Sequence, residues 1–518
     1  MNLSFEQLIA GKTDARNEVL LNNEASIRNF LEVFIKPEGF NISEFVSGEK
    51  FIISGLKGTG KTALLRYIAI NLPQEASSDF VYFKSDLKED DREEIESLST
   101  FEVKSNLGFE RNDYEKAWLW FFLKRIIELN SSLNIFRDDD SFQRVRTLLL
   151  SVKCEKSKSG LSYLFPEVTN GNVAINIAEI AKLGFNFKIR EKESGSVKFN
   201  DIVDKAFDLF INLTTKKSLF ILVDELELSY LSEITHRRDS ELIRDLLIVV
   251  KDLNVAFKEM EIDISIIASI RSEVLTAIGA IGKEISKITE DYGFPITWYR
   301  YEKGKIDHPL IKILIKRFRI SEVREFGSCD ISDSKLFYKY FQEIMYERPI
   351  SHVLLNSTWY RPRDIVRWLN VIKKIRPGEK FINQAIYETA RREYSNLCLT
   401  EVLEELNTVY DQDHLQAIQI VLTDFKKQFE KSDFKERLVS LSESSEILRG
   451  LVESDKVNVL LNHLYSCGII GNMYATLVKE RLADSVRWIY RGDGMLLADR
   501  TMVIHPSLRP ALSIRDYR

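Results

Sequence analysis

One stretch of the sequence combines residue types and spacing that suit phosphate binding. Residues 55–62 read Gly-Leu-Lys-Gly-Thr-Gly-Lys-Thr, the G-x-x-x-x-G-K-T pattern of a phosphate-binding P-loop. Glycines let backbone N–H groups turn towards a phosphate chain, and a helix N-terminus adds its positive dipole end. We call residues 55–62 the glycine loop. The predicted phosphate-binding residues are Gly55, Lys57, Gly58, Thr59, Gly60, Lys61, Thr62 and Ala63.

The residues on either side of the glycine loop favour a strand–loop–helix unit. Residues 51–53 are apolar and suit a buried strand, and residues 63–68 carry apolar side chains at helical spacing. In that setting we expect Lys61 to reach the β- and γ-phosphates of a nucleotide, and the Thr62 hydroxyl to bind Mg²⁺. A chance match to the short pattern is the alternative, and these flanking residues argue against it.

A second candidate site follows an apolar run later in the chain. Residues 219–225 are Leu-Phe-Ile-Leu-Val-Asp-Glu, which is typical of a central parallel strand that is buried on both faces. Its carboxylates would emerge where α/β sheets bind ligands. As a Walker B element, it would use Asp224 to hold Mg²⁺ and Glu225 to orient or deprotonate the attacking water. The alternative is a solvated acidic turn. Glu227 is either a supporting carboxylate or a plain surface residue.

A further strand is predicted over residues 264–270, and it ends at Arg271. P-loop ATPases that have an additional strand place a residue there that reads the γ-phosphate. Arg271 or Ser269 is the candidate for this role. The alternative for Arg271 is a salt bridge with Glu273. Residues 295–299 are the candidate for the last strand of the core.

A basic helix start lies in the later, helical part of the chain. Residues 361–368 read Arg-Pro-Arg-Asp-Ile-Val-Arg-Trp, and the proline suits the first turn of a helix. A basic residue at the start of a lid helix is a second candidate for reading the γ-phosphate. Arg363 is the first choice for this role and Arg361 the second. The alternative is an arginine that is solvated or paired with an acid.

Composition and length limit the class of protein. The chain has 518 residues with 44% hydrophobic residues and a net charge of −5, so bulk charge does not predict nucleic-acid binding. Its four cysteines lie far apart, which indicates neither a zinc site nor a disulfide framework. With no apolar signal core and no membrane-length apolar run, the expected location is the cytoplasm.

Four segments follow from the pattern along the chain. They are an N-terminal helical segment (1–45), an α/β core (46–300) with an insertion at about 84–197, a helical lid (301–400) and a C-terminal domain (401–518). Within the insertion, residues 84–112 are charged and suggest a loop.

The C-terminal domain suggests a winged helix. Residues 457–465 are expected to form a helix, and two alternating segments around Gly492-Asp493-Gly494 predict a hairpin. The domain either contacts DNA weakly through a basic face or docks a protein through an apolar patch, and the overall acidity favours protein. The basic face would comprise Arg481, Arg487, Arg491 and Arg500. The apolar patch would comprise Leu460, Leu464, Ile469, Ile470 and Met473.

Several motifs together resemble one family. The glycine loop, V-D-E-L-E (223–227), I-R-S-E-V (270–274), R-P-R-D-I-V-R (361–367) and I-H-P-S-L (504–508) resemble bacterial P-loop ATPases of the Sll1717 type. This group is similar to the STAND and Orc/Cdc6-like branches of AAA+ ATPases. The resemblance covers most of the chain except about 84–197. It implies an α/β P-loop NTPase fold (AAA+/STAND-like): a parallel-sheet core with a helical lid and a winged-helix-like C-terminal domain. Residues that resemble the short N-terminal box of the group, which in STAND proteins sits near the adenine, are Gly11, Asp14, Ala15 and Glu18.

The resemblance implies an ATP-hydrolysing switch that uses ATP and Mg²⁺. Members often occur beside effector genes in anti-phage defence and are thought to be sensors or regulators. Because this chain shows no nuclease, protease or TIR constellation, a separate protein effector, a homo-oligomer or both are expected as partners, without a membrane. The alternatives are an Orc/Cdc6-like DNA-binding initiator or loader, and a nucleotide-binding scaffold with little hydrolysis.

One feature departs from the pattern of AAA+ rings. These rings usually place an arginine that acts on a neighbouring subunit in the stretch that corresponds to residues 272–297, and no arginine occurs there. Slow hydrolysis is therefore expected. Arg237 and Arg238 are the candidate substitutes.

Overall fold

The computed structural model of the chain describes residues 2–102, 111–154, 160–169, 171–176, 196–228, 232–279, 281, 284–300, 306–407, 409–443, 445–478 and 481–515. The chain forms two compact units. The core unit consists of Gly39–Leu56 and Lys61–Ile296. The helical unit consists of Met1–Glu38, Lys57–Gly60 and Thr297–Arg518. The middle of the glycine loop therefore groups with the helical unit, whereas both of its ends belong to the core unit. The finer division into four segments stays a prediction.

The core unit contains a five-stranded parallel sheet, so the predicted α/β class with a parallel sheet is confirmed. The spatial order of its strands is β5–β1–β4–β3–β2, with β4 between β1 and β3. The arrangement is consistent with a P-loop-like core. The strands are β1 (Ile52–Gly55), β2 (Ser77–Tyr82), β3 (Leu219–Leu226), β4 (Ile264–Arg271) and β5 (Gly293–Pro295).

The burial of β3 explains why its continuous apolar sequence predicted a central strand. Every residue from Leu219 to Asp224 is buried, as expected for a strand covered on both faces. The pairing of β3 with β4 is irregular between Val223 and Leu226, where the two acidic residues lie. The glycine loop leaves β1 at Gly55 and enters the helix Lys61–Ile70. The strand–loop–helix prediction is therefore confirmed.

Helices surround this sheet. The α-helices of the core unit are Ile42–Val46, Lys61–Ile70, Phe83–Asp86, Glu89–Glu96, Glu115–Leu133, Asp140–Ser151, Phe199–Phe210, Glu233–Glu259, Ser272–Gly279 and Ile285–Tyr292. Its smaller elements are the 3₁₀ turn Ser162–Leu164, the paired strands Thr100–Glu102 and Arg111–Asp113, and the strands Val168–Thr169, Asn172–Ala174 and Ser196–Lys198.

Two sequence predictions within the core unit were wrong in detail. Residues 84–112 are not simply a loop: they contain short helices and strands, and residues 103–110 lie outside the described part. Arg92 in this segment is buried and paired with Asp239, so a highly charged sequence is ordered by internal ion pairs. The last strand covers Gly293–Pro295 rather than residues 295–299.

The helical unit is mostly α-helical. The predicted helix start at 361–368 is confirmed, since Pro362 is the first residue of the helix Pro362–Ile375. The α-helices are Ala15–Glu18, Glu24–Val33, Pro309–Phe326, Asp333–Tyr340, Ile350–Asn356, Pro362–Ile375, Gln384–Leu406, Gln412–Leu422, Lys431–Ser442, Glu446–Leu451 and Ser454–Ser466. Shorter elements are the 3₁₀ turns Phe5–Gln7 and Ile489–Arg491 and the paired strands Ile344–Met345 and Arg348–Pro349.

The C-terminal hairpin is real but was predicted in the wrong place. It pairs Ile470–Val478 with Arg481–Arg487, directly after the predicted helix, whereas Gly492 ends a 3₁₀ turn. The aromatic residues Trp488 and Tyr490, which suggested a strand, instead contact the buried His505 at 4.7 and 5.7 Å between ring centres. Two shorter strands, Gln428–Phe429 and Met502–Ile504, complete this sheet. A winged-helix identity stays a prediction.

The apolar patch predicted for the C-terminal domain is core. Leu460, Leu464, Ile469 and Ile470 are all buried, and Met473 is only partly exposed. These side chains therefore stabilise the fold and do not offer a docking surface. Within the described part of the chain, the helices lack the length and apolar character needed to cross a bilayer.

Candidate functional site

Two glycines of the glycine loop have a left-handed backbone. Gly58 and Gly60 have φ values of 80° and 94°, which side-chain-bearing residues rarely adopt. In the core unit, the Lys61 ammonium donates hydrogen bonds to the carbonyl oxygens of Gly55 and Leu56, at 2.8 and 3.0 Å. The lysine thus folds over the start of its own loop, where it can turn towards a bound phosphate. Ala63 lies in the first turn of the helix that follows.

Two hydroxyl groups converge on one buried carboxylate. Thr62 Oγ1 donates to Asp224 Oδ2 at 2.7 Å, and Ser269 Oγ donates to Asp224 Oδ1. The exposed fraction of Asp224 is only 3%. Mg²⁺ is typically held by one or two carboxylates together with substrate phosphates, so a hydroxyl and a carboxylate beside the glycine loop fit this ion. The structure thus brings Thr62 and Asp224 together, as the sequence predicted.

Glu225 has an unusual backbone. Its φ is 59°, in the left-handed region, at the irregularity between β3 and β4. Residues other than glycine are uncommon there, and such conformations cluster at functional sites. The Glu225 carboxylate accepts a hydrogen bond from Ser85, in the short helix that follows β2. The side chain is therefore directed by a strained backbone and by a hydroxyl from a neighbouring strand end.

Arg271 lies in an acidic environment at the end of β4. It forms an ion pair with Glu227, and its distance to Glu273 is 3.8 Å. Glu227 also pairs with Lys84 at 2.9 Å. The salt bridge given as the alternative for Arg271 is thus present, although Glu227 is the nearer partner. Of the two candidates on this strand, Ser269 contacts Asp224 and Arg271 does not. Their roles towards the γ-phosphate stay predictions.

In the helical unit, three consecutive carbonyl groups of the glycine loop accept hydrogen bonds. Arg361 Nη1 donates to the Lys57 oxygen at 3.3 Å, and the Arg363 backbone N–H donates to the Gly58 oxygen at 3.5 Å. The Trp298 indole N–H donates to the Thr59 oxygen at 2.8 Å. The middle of the loop is therefore held on its carbonyl side.

One buried glutamate, Glu401, forms ion pairs with the arginines of this region. Glu401 lies 3.2 Å from Arg363 and 3.8 Å from Arg361, and it also pairs with Arg367. Burial alone would raise the pKa of Glu401, but the three guanidinium groups hold it well below its ordinary value. Arg363 is therefore paired with an acid, which was the alternative given for it. Similarly, Lys57 pairs with Glu405 at 2.9 Å.

Part of the N-terminal box forms a compact cluster in the helical unit. Glu18 pairs with the buried Arg317 at 3.3 Å, and Gly11 has a φ of 80° directly against the Arg317 guanidinium. A side chain at Gly11 would collide with that guanidinium, because an added Cβ would lie 2.2 Å from Arg317 Nη1. The Gly11 oxygen accepts a hydrogen bond from Asn370. The cluster thus orders the N-terminal segment. A contact with adenine stays a prediction.

The two substitutes for an arginine that acts on a neighbour differ in exposure. Arg238 is buried and pairs with Glu89 and Asp239, so it is not available to another molecule and this suggestion was wrong. The side chain of Arg237 is 44% exposed and pairs with Glu241 at 3.1 Å.

Sequence reasoning missed Ser85, Glu401 and Glu405, and it treated Trp298 only as part of a strand. These residues are distant in the sequence from the candidate site residues that they contact, and they belong to none of the recognised motifs. A signal was available only for Ser85, which comes shortly after the apolar residues 80–83; a residue that follows a parallel strand lies at the same sheet edge as Glu225.

Comparison with known protein families gives a match over one segment of the chain. A family described as the FunZ-associated C-terminal helical domain matches residues 308–403. The matched residues nearly coincide with the segment predicted as a helical lid. No curated protein matches the chain.

Proposed function

We propose that this protein is a slow, Mg²⁺-dependent ATPase that works as a molecular switch. The observation that carries the proposal is the convergence of Thr62 and Ser269 on Asp224, at the start of the helix that follows the glycine loop. A hydroxyl and a carboxylate at that place suit a Mg²⁺ ion that is shared with the phosphates of a nucleotide. The position of β4 between β1 and β3 further supports the class of P-loop ATPases that have an additional strand.

Each residue then has a defined task. Lys61 leaves the carbonyl groups of Gly55 and Leu56 and binds the β- and γ-phosphates, while the loop N–H groups bind the phosphate oxygens. Thr62 and Asp224 would hold Mg²⁺, which would neutralise phosphate charge. Glu225 orients or deprotonates the water that attacks the γ-phosphorus, so that ADP and inorganic phosphate are formed.

Arg363, in the helical unit, is the proposed sensor of the γ-phosphate. Its backbone contacts the glycine loop, and its side chain is held by Glu401. In the proposed switch, Arg363 exchanges Glu401 for the γ-phosphate when ATP is bound. Such an exchange drives a conformational change only if ATP binds the two arrangements with different free energies.

The biological setting that we propose is bacterial anti-phage defence with a separate effector. The matched helical domain is associated with FunZ, and FunZ is linked to defence-type ATPase systems. This link supports the setting.

Calorimetry and phosphate release on the purified full chain test the proposal. We expect ATP to bind, and phosphate release to require Mg²⁺ and to be slow. A chain that binds no ATP, with or without Mg²⁺, would contradict the proposal. A chain that binds ATP and releases no phosphate would favour the scaffold alternative.

The DNA-binding alternative leads to a separate prediction. Of the four arginines in the predicted basic face, Arg487 pairs with Asp493 at 3.1 Å, and Arg491 packs 4.7 Å from the Tyr299 ring centre. With two arginines engaged and a net charge of −5, duplex DNA should bind only in the non-specific range of about 10⁻⁴–10⁻⁶ M with a shallow salt dependence. Fluorescence titration of a labelled duplex at several salt concentrations measures this.

A variant with Arg481 and Arg500 replaced by alanine is the comparison for that titration. Sub-micromolar, steeply salt-dependent binding that this double variant loses would favour the initiator alternative over the switch.

A further inference from the structure

We propose that Trp298 is a positioning residue for nucleotide binding, and that it acts by holding the backbone of the glycine loop. The inference rests on the proposed nucleotide site. It adds a residue that lies 239 positions away from its loop partner in the sequence.

The peptide groups of the glycine loop must point in one direction to hold phosphates. A loop that cradles phosphates must turn its N–H groups inward, which leaves its carbonyl groups facing the protein. Within the helical unit, the carbonyl oxygens of residues 57, 58 and 59 each accept a hydrogen bond. Donors on the carbonyl side therefore fix the orientation that the N–H groups need before any ligand binds.

Of the three donors, Trp298 lies nearest to the carbonyl oxygen that it holds. The Trp298 bond, at 2.8 Å, has the best distance of the three, because the bonds from Arg361 and Arg363 measure 3.3 and 3.5 Å. Trp298 is only 6% exposed, and Thr59 is equally buried at 6%. Indole is a donor only, and a buried peptide oxygen that loses its donor is costly. The Trp298–Thr59 bond is thus well protected from exchange with water.

A second buried tryptophan distinguishes this role from ordinary core packing. Trp368 lies in the same unit and is 1% exposed, but its indole nitrogen has no hydrogen-bond partner in the described part of the chain. Replacing either tryptophan by phenylalanine removes similar ring area. Only the change at position 298 removes a hydrogen bond to the glycine loop. Trp368→Phe is therefore a matched control.

The experiment measures ATP and inorganic tripolyphosphate binding to full-length Trp298→Phe by calorimetry. We expect both dissociation constants to rise about threefold to tenfold, the size of one net hydrogen bond. KM for ATP should rise by a similar factor with kcat unchanged, because Trp298 contacts the loop and not the reacting groups. Trp368→Phe should bind both ligands as the parent does.

A second variant distinguishes the loss of the hydrogen bond from a loss of folding. Benzothienylalanine at position 298 keeps the shape of the indole ring and replaces its N–H group by sulfur, so it should weaken binding as phenylalanine does. Unchanged affinity in both 298 variants would overturn the inference, and so would an equal loss in Trp368→Phe. If the parent chain binds neither ATP nor tripolyphosphate, the proposed function itself fails, and this result is distinct from a failure of the 298 variants alone.

Discussion

Glu225→Gln should lower ATP hydrolysis by a factor of roughly 10² or more while ATP still binds. Glutamine keeps the size of the side chain and can still accept the hydrogen bond from Ser85, but it cannot take a proton from water. Single-turnover phosphate release measures the chemical step, and calorimetry on the same sample measures binding.

Glu227→Gln is the control for this variant. Glu227 lies two residues further along and is occupied by ion pairs with Arg271 and Lys84. It should keep most of the parental rate. If Glu225→Gln turns over at the parental rate instead, Glu225 is not the catalytic carboxylate and Glu227 becomes the candidate.

Lys61→Ala should weaken ATP binding at least tenfold, about 1.4 kcal/mol. The variant removes the ammonium group that lies at the start of the glycine loop and that would face the β- and γ-phosphates. Because Lys61 is only partly buried and bonds to backbone oxygens, the fold should survive, and thermal unfolding checks this. Calorimetric titration with ATP gives the affinity.

Lys50→Ala is the matched control, since Lys50 also donates to a backbone oxygen, that of Asp291, and precedes β1 at its other end. It should leave ATP affinity unchanged. Equal affinity of the parent and Lys61→Ala would rule out phosphate binding at the glycine loop.

The parts of the fold that could be predicted are those in which the signal is local. The continuous apolar run before Asp224 and the glycine spacing before Lys61 each define their own element, so strand, loop and helix followed from a few residues. Thr62 and Asp224 could be paired because the ends of parallel strands share one sheet edge.

The parts that could not be predicted depend on distant partners. Arg363 starts a predicted helix, but its acid, Glu401, lies 38 residues later on another helix. The hairpin was misplaced because Trp488 and Tyr490 resemble strand residues when their packing against His505 is not visible. Periodicity cannot distinguish an aromatic residue in a strand from one in a turn that faces the core.

Because Glu225 has a left-handed backbone, thermal stability and ATP hydrolysis favour different residues at this position. Glycine accepts that conformation more readily than glutamate by about 1 kcal/mol or more, and asparagine adopts it more often than glutamate does. Selection for thermal stability alone is therefore expected to replace the glutamate. Selection for phosphate release is expected to retain it. A substitution at position 225 that raises thermal stability is therefore expected to lower the rate of ATP hydrolysis.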